Sequence, residues 1–355
     1  MEKRNEQHTV IIPSYNTLEH LKNTVKSLLK FAPNVPMIII DDASEDGTKE
    51  WFNTLKDNKS IKTIVSPTRK GHTFWYDEGM RLSKTDVVSI LHSDMIIGPG
   101  YFENMLKYLE KGKVVCATRI EPPIHPSGKE KIVKDFGDEA DTFKWNEFET
   151  FCKTEKELEK NKVTKGIFAP WILYKEDHLS IGGHDQNFAP YGYEDSDIFN
   201  RWILAGYEMI QARDSFCYHM TCRGHRWNKG VGIENTDYKE TMDKGRNYFL
   251  KKWGHWIKND EYQYPIISPV YKKCVNIINS NPQLQEILQP WFNGGKDIII
   301  EVNGNNFTQE DFQYITMIND IIKDNDEIGE FELGNLKVKI NVIKDYSKDL
   351  IKYEE

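Results

Sequence analysis

Nothing in the 355 residues approaches the run of roughly 20 apolar side chains that spans a bilayer. The opening MEKRNEQHTV also lacks the apolar core of a secretion signal. The chain is therefore expected to be cytoplasmic, with no integral membrane segment, unless a partner carries it elsewhere. Cysteine is scarce. The five residues Cys116, Cys152, Cys217, Cys222 and Cys274 are odd in number and form no CxxC pair. That pattern argues against a disulfide framework or a zinc module and fits a reducing compartment. No long basic run occurs and the formal charge is −8, so a nucleic-acid partner is not indicated. Glycine-rich phosphate loops are missing too: there is no GxGxxG after the first strand and no GxxxxGK[ST] anywhere. Any phosphate must be held by other means.

What is present is strand alternating with helix. Thr9 to Pro13 is a β-branched run, and Asn16 with Glu19 three residues on offers a cap for a helix whose Leu18, Leu21, Val25, Leu28 and Leu29 recur at helical spacing. Met37–Ile40, Ile61–Ser66, Val87–Leu91 and Lys113–Thr118 read as further strands. Helices are expected near Lys49–Leu55, over Thr73–Ser83, and from Pro99 to a stop at Gly112. This order predicts an α/β protein with a mostly parallel, doubly wound sheet covered by helices on both faces. In such sheets ligands sit at the carboxyl ends of strands. Tyr15 follows the first strand, Asp41 and Asp42 end the second, and His92, Ser93 and Asp94 end the fourth. Ser44 and Asp46 read as helix caps. A divalent cation, Mn²⁺ or Mg²⁺, held by carboxylate and imidazole is one way to neutralise diphosphate oxygens on that rim.

The stretches TVIIPSYN, IIIDDASEDGT, KGHTFWYDEGM, LHSDMI and IGGHDQNFAPYGYEDSDIFNRWILAGY, in that order, resemble the family 2 glycosyltransferases of the GT-A fold. The likeness covers about residues 8 to 225, with a looser helical extension to about 258. It implies an inverting, metal-dependent transferase that moves a sugar from a nucleotide-sugar donor, most often a UDP-sugar, to an acceptor hydroxyl. It also implies a donor site from Pro13, Tyr15, Asp41, Asp42, Gly71, His92 and Ser93. Asp42 is the first choice for reading the base and Asp41 the second, because neighbouring strand side chains alternate faces. The family's D-x-D motif is His92-Ser93-Asp94 here, so one carboxylate has become imidazole; Asp94 keeps the metal position, and His92 could bind metal, ribose or phosphate. The exchange favours softer Mn²⁺. Asp77 stands where relatives have asparagine, while Gly79 is retained. Arg69 and Lys70 could reach phosphate or simply be exposed.

A helix is expected from Glu194 to about Ala205, ended by Gly206. Asp197 lies four residues before Arg201, an ion-pair spacing that makes it structural. Asp195 matches the family's general base, with Glu194 beside it to bind the acceptor or fix the loop. Trp171 reads as core, Gly182-Gly183 as a flexible entry, and the role of Asp185 stays open. His219 matches a histidine that completes the cation's shell. Arg223, His225 and Arg226 form a basic segment suited to closing over diphosphate. Residues 216 to 258 carry nine Lys and Arg against four Asp and Glu, a local basic excess that favours an anionic ligand.

Residues 119 to 165 form a charged insert, expected to be irregular at its prolines and then a helix or a lid over the acceptor. The catalytic domain is taken as 1–258. A small appended α/β domain, strand, helix and two strands, is expected over 265–355, where it could dimerise, bind the acceptor carrier or brace the rest. A nucleotide-sugar or glycan-binding protein that has lost turnover is the alternative prompted by His92. A sugar-nucleotide pyrophosphorylase ranks last, since PSYN stands where a glycine-rich loop is needed. The sequence leaves the transferred sugar and the acceptor open, whether a glycan, another hydroxyl-bearing molecule or a modified DNA base.

Overall fold

The computed structural model describes residues 8–266 except 167, 222, 228–230 and 254–256. Residues 250, 251 and four later strands are described in backbone only. In chain order the elements are β1 (His8–Ser14), α1 (Leu18–Phe31), β2 (Met37–Asp41), α2 (Thr48–Trp51) running into a 3₁₀ turn, β3 (Ile61–Val65), α3 (His72–Leu82), β4 (Val87–Ile90), β5 (Met95–Ile97), α4 (Tyr101–Leu106) and β6 (Lys113–Glu121). Then come β7 (Lys131–Val133), α5 (Trp145–Leu158), β8 (Val163–Lys165), β9 (Trp171–Tyr174), α6 (Lys175–Leu179), α7 (Glu194–Leu204), β10 (Glu208–His219) and α8 (Tyr238–Trp253). The last strands are β11 (Lys273–Asn279), β12 (Lys296–Asn303), β13 (Glu330–Leu333) and β14 (Leu336–Asp345).

The main sheet runs β3-β2-β1-β4-β9-β6-β10-β5, with β7 beside β6 and β8 beside β10. Its β1–β4 half is parallel throughout. The other half is mixed, because β9 is antiparallel to β4 and β6, and β5 and β8 are antiparallel to β10. Period-2 alternation sorts the strand residues between two cores. Val10, Ile12 and Ile39 face α1 and α4 through Leu21, Val25, Leu28 and Phe102. Ile11, Ile38 and Ile40 face α3 and α7 through Trp75, Met80, Ile198 and Trp202. Trp171 is part of that second core, as its sequence context predicts.

Several local expectations change. Asn16 does not cap α1; it takes a positive φ of 52° and bonds the 44–45 loop. The cap comes from Asp46, whose Oδ2 accepts the Leu18 N–H at 2.7 Å while Oδ1 accepts from Thr48 at the start of α2. A carboxylate brought by the second loop serves two helix starts, which a local motif cannot reveal. The helix after Pro99 ends at Leu106 rather than Gly112, and β6 continues three residues past Thr118. The strand β9 begins at Trp171, directly after the cis Ala169–Pro170 bond.

The insert is not a loose lid. Its β7 adds to β6, and Phe136, Phe143, Phe148 and Cys152 form a third core with Ile120, Phe216 and Tyr218. The chain divides into two compact units, one of residues 1–203, 207–243 and 259–265, the other of 204–206, 244–258 and 266–355. In the second, the described strands make a four-stranded sheet, β11-β12-β14-β13, with one parallel pair and two antiparallel pairs. The helix expected at about 309–324 lies outside the described residues. Among the described residues, no helix is long and apolar enough to cross a membrane.

Candidate active site

Register explains why polar groups converge. Ser14 pairs with Asp41 and Ile11 with Ile90, so the carboxyl ends of β1, β2 and β4 open on one edge. There an open cleft of about 580 Å³ is lined by Pro13, Tyr15, Asp42, Gly71, His92, Ser93 and Asp94, among others. The β5–β10 ladder sets His219 opposite Met95, directly beside Asp94. His92, Asp94 and His219 thus offer ligand atoms that all lie within 4.8 Å of one another. His219 Nε2 and Asp94 Oδ1 are 3.6 Å apart, too far for a hydrogen bond. Ligand atoms around an ion with bonds of roughly 2.1 Å are spaced by about 3 Å or more, so this separation suits a cation. Two imidazoles and one carboxylate are donors that a first-row divalent ion accepts more readily than Mg²⁺ or Ca²⁺ does.

Electrostatics agree with that donor set. Burial drives His92 down to about 3, helped by His219, so the ring is neutral with a lone pair to offer. Burial alone would raise Asp94, but His219, His92 and His20 outweigh it and hold its carboxyl below the usual range.

Asp77, His178 and His184 form a second cluster. There the ring nitrogens sit 2.8 and 2.7 Å from the same oxygen, Oδ1, which is hydrogen bonding with no space for an ion. Oδ2 accepts the His184 N–H at 2.8 Å. Asp77 therefore ties α3 to α6 and to the Gly182-Gly183 turn. A Cβ on Gly183 would fall 2.3 Å from Asp77 Oδ2, so glycine is required for closeness as well as for its φ of 67°.

Of the acid pair after β2, Asp42 faces the cleft and Asp41 does not. Asp41 bonds the Ser44 N–H and shapes the turn, so its side chain lies outside the cleft lining. Asp42 accepts from Lys70 N, Gly71 N and Trp75 Nε1, so it also fastens the loop before α3. Gly71 has φ 90°, and a Cβ there would lie 2.3 Å from the Pro190 backbone. This contact brings the 69–72 turn against the 189–195 turn and lets His72 Nε2 meet Glu194 Oε1 at 2.6 Å.

Glu194 and Asp195 are not themselves on the cleft lining; they adjoin it through His72, which is. Burial opposes ionisation of Glu194, yet the His72 charge and hydrogen bond hold its carboxyl low. Asp195 goes the other way, raised to about 6 by burial and then by Glu194. Its Oδ1 accepts the Ser196 N–H at 2.6 Å. Such a split assigns opposite proton preferences to adjacent acids. Asp197 bonds Arg201 Nε at 2.9 Å, as its spacing predicts. Asp185 caps the short 3₁₀ turn at Gln186.

The basic segment is less available than its sequence suggests. Arg223 lines the cleft, but its guanidinium is engaged by the insert, at Asp138 O and at Glu139 Oε1, 3.1 Å away. Arg226 is outside the lining and pairs with Glu234. Arg223 and Arg226, expected to close over diphosphate, are each ion-paired within the protein, to Glu139 and to Glu234. Arg69 takes a place in the cleft instead, 4.0 Å over the Tyr15 ring and 3.0 Å from Asp237.

Residues that sequence reading missed include His72, Tyr76, Tyr191 and Glu121. The Glu121 side chain is 4% exposed and lies 3.0 Å from His219 Nδ1. Its signal was available: it is an acid at a strand's carboxyl end, hidden because β6 was cut short at Thr118.

Residues 9–178 match the profile described as glycosyl transferase family 2, and residues 150–224 match the N-terminal domain of galactosyltransferase. A validoxylamine A glucosyltransferase of Streptomyces hygroscopicus subsp. jinggangensis (strain 5008) is 24% identical over 241 residues, 59% of this chain and 54% of its own. The uncharacterized glycosyltransferase YfnE of Bacillus subtilis (strain 168) is 24% identical over 251 residues, 59% of this chain and 64% of its own. The solved structure of GalNAc-T7 with UDP, GalNAc and Mn²⁺ superposes with a TM-score of 0.50 at 16% identity, over 70% of this chain and 51% of that one. The chain thus spans about half the length of the first of these relatives.

Proposed function

We propose, from the match of residues 9–178 to glycosyl transferase family 2 and from the GT-A fold, that the chain is a cation-dependent, inverting glycosyltransferase using a nucleotide-sugar donor, with UDP as the first nucleotide to test. One observation carries the reading: the spacing of His92, Asp94 and His219 on the wall of a cleft that also holds Asp42 and Tyr15. The UDP and Mn²⁺ bound by GalNAc-T7 and the glucosyl transfer named for the Streptomyces relative support the donor class.

In this reading Pro13, Tyr15 and Asp42 wall the nucleoside, while Asp94, His219 and His92 hold the cation. When bound, the cation supplies charge neutralisation to the diphosphate as it departs. Asp195 takes the proton from the acceptor hydroxyl while that oxygen bonds to the anomeric carbon. The bond from that carbon to the diphosphate oxygen breaks on the opposite face, and its electron pair leaves with the nucleotide. Glu194, kept ionised by His72, supplies the charge that makes Asp195 basic enough for this step.

The test is turnover across UDP-, GDP-, CMP- and dTDP-sugars, with and without Mn²⁺ or Mg²⁺. Native protein is expected to need a cation, Asp94→Ala to lose turnover, and Asp195→Asn to fall by about 10² to 10⁴. Unchanged sugar transfer in Asp195→Asn would remove Asp195 as the base.

A further inference from the structure

We propose that Glu121 is the positioning residue of the cation site, and that the insert strand β7 serves to hold it there through Lys131. The inference rests on reading His92, Asp94 and His219 as cation ligands. It concerns what fixes one of them, and it gives the insert a task.

The geometry runs from the sheet to the ligand. Tyr218 pairs with Ile120 across the parallel β10–β6 ladder, so the next step along sets His219 beside Glu121. Both are the last residues of their strands, β10 and β6, and each is also held by a neighbouring strand, His219 opposite Met95 of β5 and Glu121 opposite Val133 of β7. Glu121 Oε1 lies 3.0 Å from His219 Nδ1, while His219 Nε2 faces Asp94. A carboxylate can only accept, so the neutral ring must carry its proton on Nδ1, leaving the lone pair on Nε2, toward Asp94. Without Glu121 the ring is free to adopt the other tautomer, with N–H aimed at the cation position.

Glu121 is itself pinned. Arg119 Nη1 is 3.3 Å from Oε1, and Lys131 Nζ is 2.8 Å from Oε2. Lys131 arrives because β7 pairs in parallel register with Arg119–Glu121, and the Lys134 N–H bonds the Glu121 carbonyl at 2.9 Å. Two cations on one buried carboxylate remove its tendency to draw a metal for itself. It is left as a hydrogen-bond acceptor that orients His219 and makes the ring a better donor. The aromatic core that locks the insert to β10 thus holds a cation ligand in its working orientation.

The experiment measures Mn²⁺ binding to the full chain by calorimetry, without donor, in native protein, Glu121→Gln, Glu121→Asp and Asp94→Ala, with melting of the metal-free proteins in parallel. Glu121→Gln is expected to bind roughly 10- to 100-fold more weakly, with somewhat earlier metal-free melting because Arg119 and Lys131 lose their partner, and Glu121→Asp to recover part of the loss. Binding by Glu121→Gln within twofold of native, while Asp94→Ala binds nothing, overturns the role of Glu121 and leaves the cation site standing. Native-like binding in Asp94→Ala overturns the cation site itself. Should Glu121→Gln be unfolded at the assay temperature, ¹⁵N spectra of histidine-labelled native protein decide: a neutral His219 protonated on Nδ1 supports the assignment, and protonation on Nε2 overturns it.

Discussion

Asp195 carries the sharpest consequence of a single side chain's surroundings. Burial, then the charge of Glu194, raises its carboxyl to about 6, so below that pH it is protonated and cannot accept. Sugar transfer is therefore expected to rise through pH 5 to 7 with a midpoint near 6. Glu194→Gln removes the repelling charge, and the acid limb should move to lower pH; a pH profile of kcat/KM checks both. A limb that stays fixed in Glu194→Gln would show that Asp195 is not the titrating group. At this scale much of the site was readable. Asp42 and Asp94 follow strand ends and were legible there as acids, alternation required that only one of Asp41 and Asp42 face a ligand, and the metal role of His219 came from the family resemblance. Partners distant in sequence were not readable. The Glu194–His72 contact joins residues 122 positions apart, and the acids that occupy Arg223 come from the insert.

Helices and strands were legible where periodicity was strong. The alternation of Val10, Ile11 and Ile12, or of Ile38, Ile39 and Ile40, encodes a sheet with a core on each face, and the structure sorts them that way. Ends were less legible, because termini are set by partners. Asp46 is the clearest case, an exposed-loop carboxylate that bonds the first N–H groups of both α1 and α2. Asp46→Ala should destabilise the protein by about 1 to 2 kcal/mol, since two helix starts lose an acceptor. Chemical denaturation measures this, and a change under a few tenths of a kcal/mol would mean water replaces the cap. Strand direction in the mixed half was likewise invisible: a four-residue apolar run such as Trp171–Tyr174 reads the same either way.

Across the whole molecule, buried neutral imidazoles tie folding to acidity. Burial lowers His178 and His225 to about 4 each, and His178 is fully buried. An unfolded chain protonates them near 6.5, the folded protein only near 4, so between these values the unfolded state binds more protons. Stability is fully present above pH 6.5 and falls as pH drops toward 4, by on the order of 3 kcal/mol for His178 alone. Melting temperatures of the metal-free protein across pH 4 to 8 should be flat above 7 and decline below 6.5; a level curve to pH 4 would refute the linkage. The order of strands and helices predicted the architecture of the larger unit because each βα step is local. The packing of the insert was harder to see, since its aromatic residues lie among charges that suggest a solvated loop.

The guanidinium of Arg69 sits over the Tyr15 ring and is tethered to Asp237. Any planar ring that comes to rest on that face of the tyrosine must therefore peel the arginine away, and with it loosen the tether that joins one bank of the cleft to the turn before α8. Arrival of a guest and release of a latch become the same event.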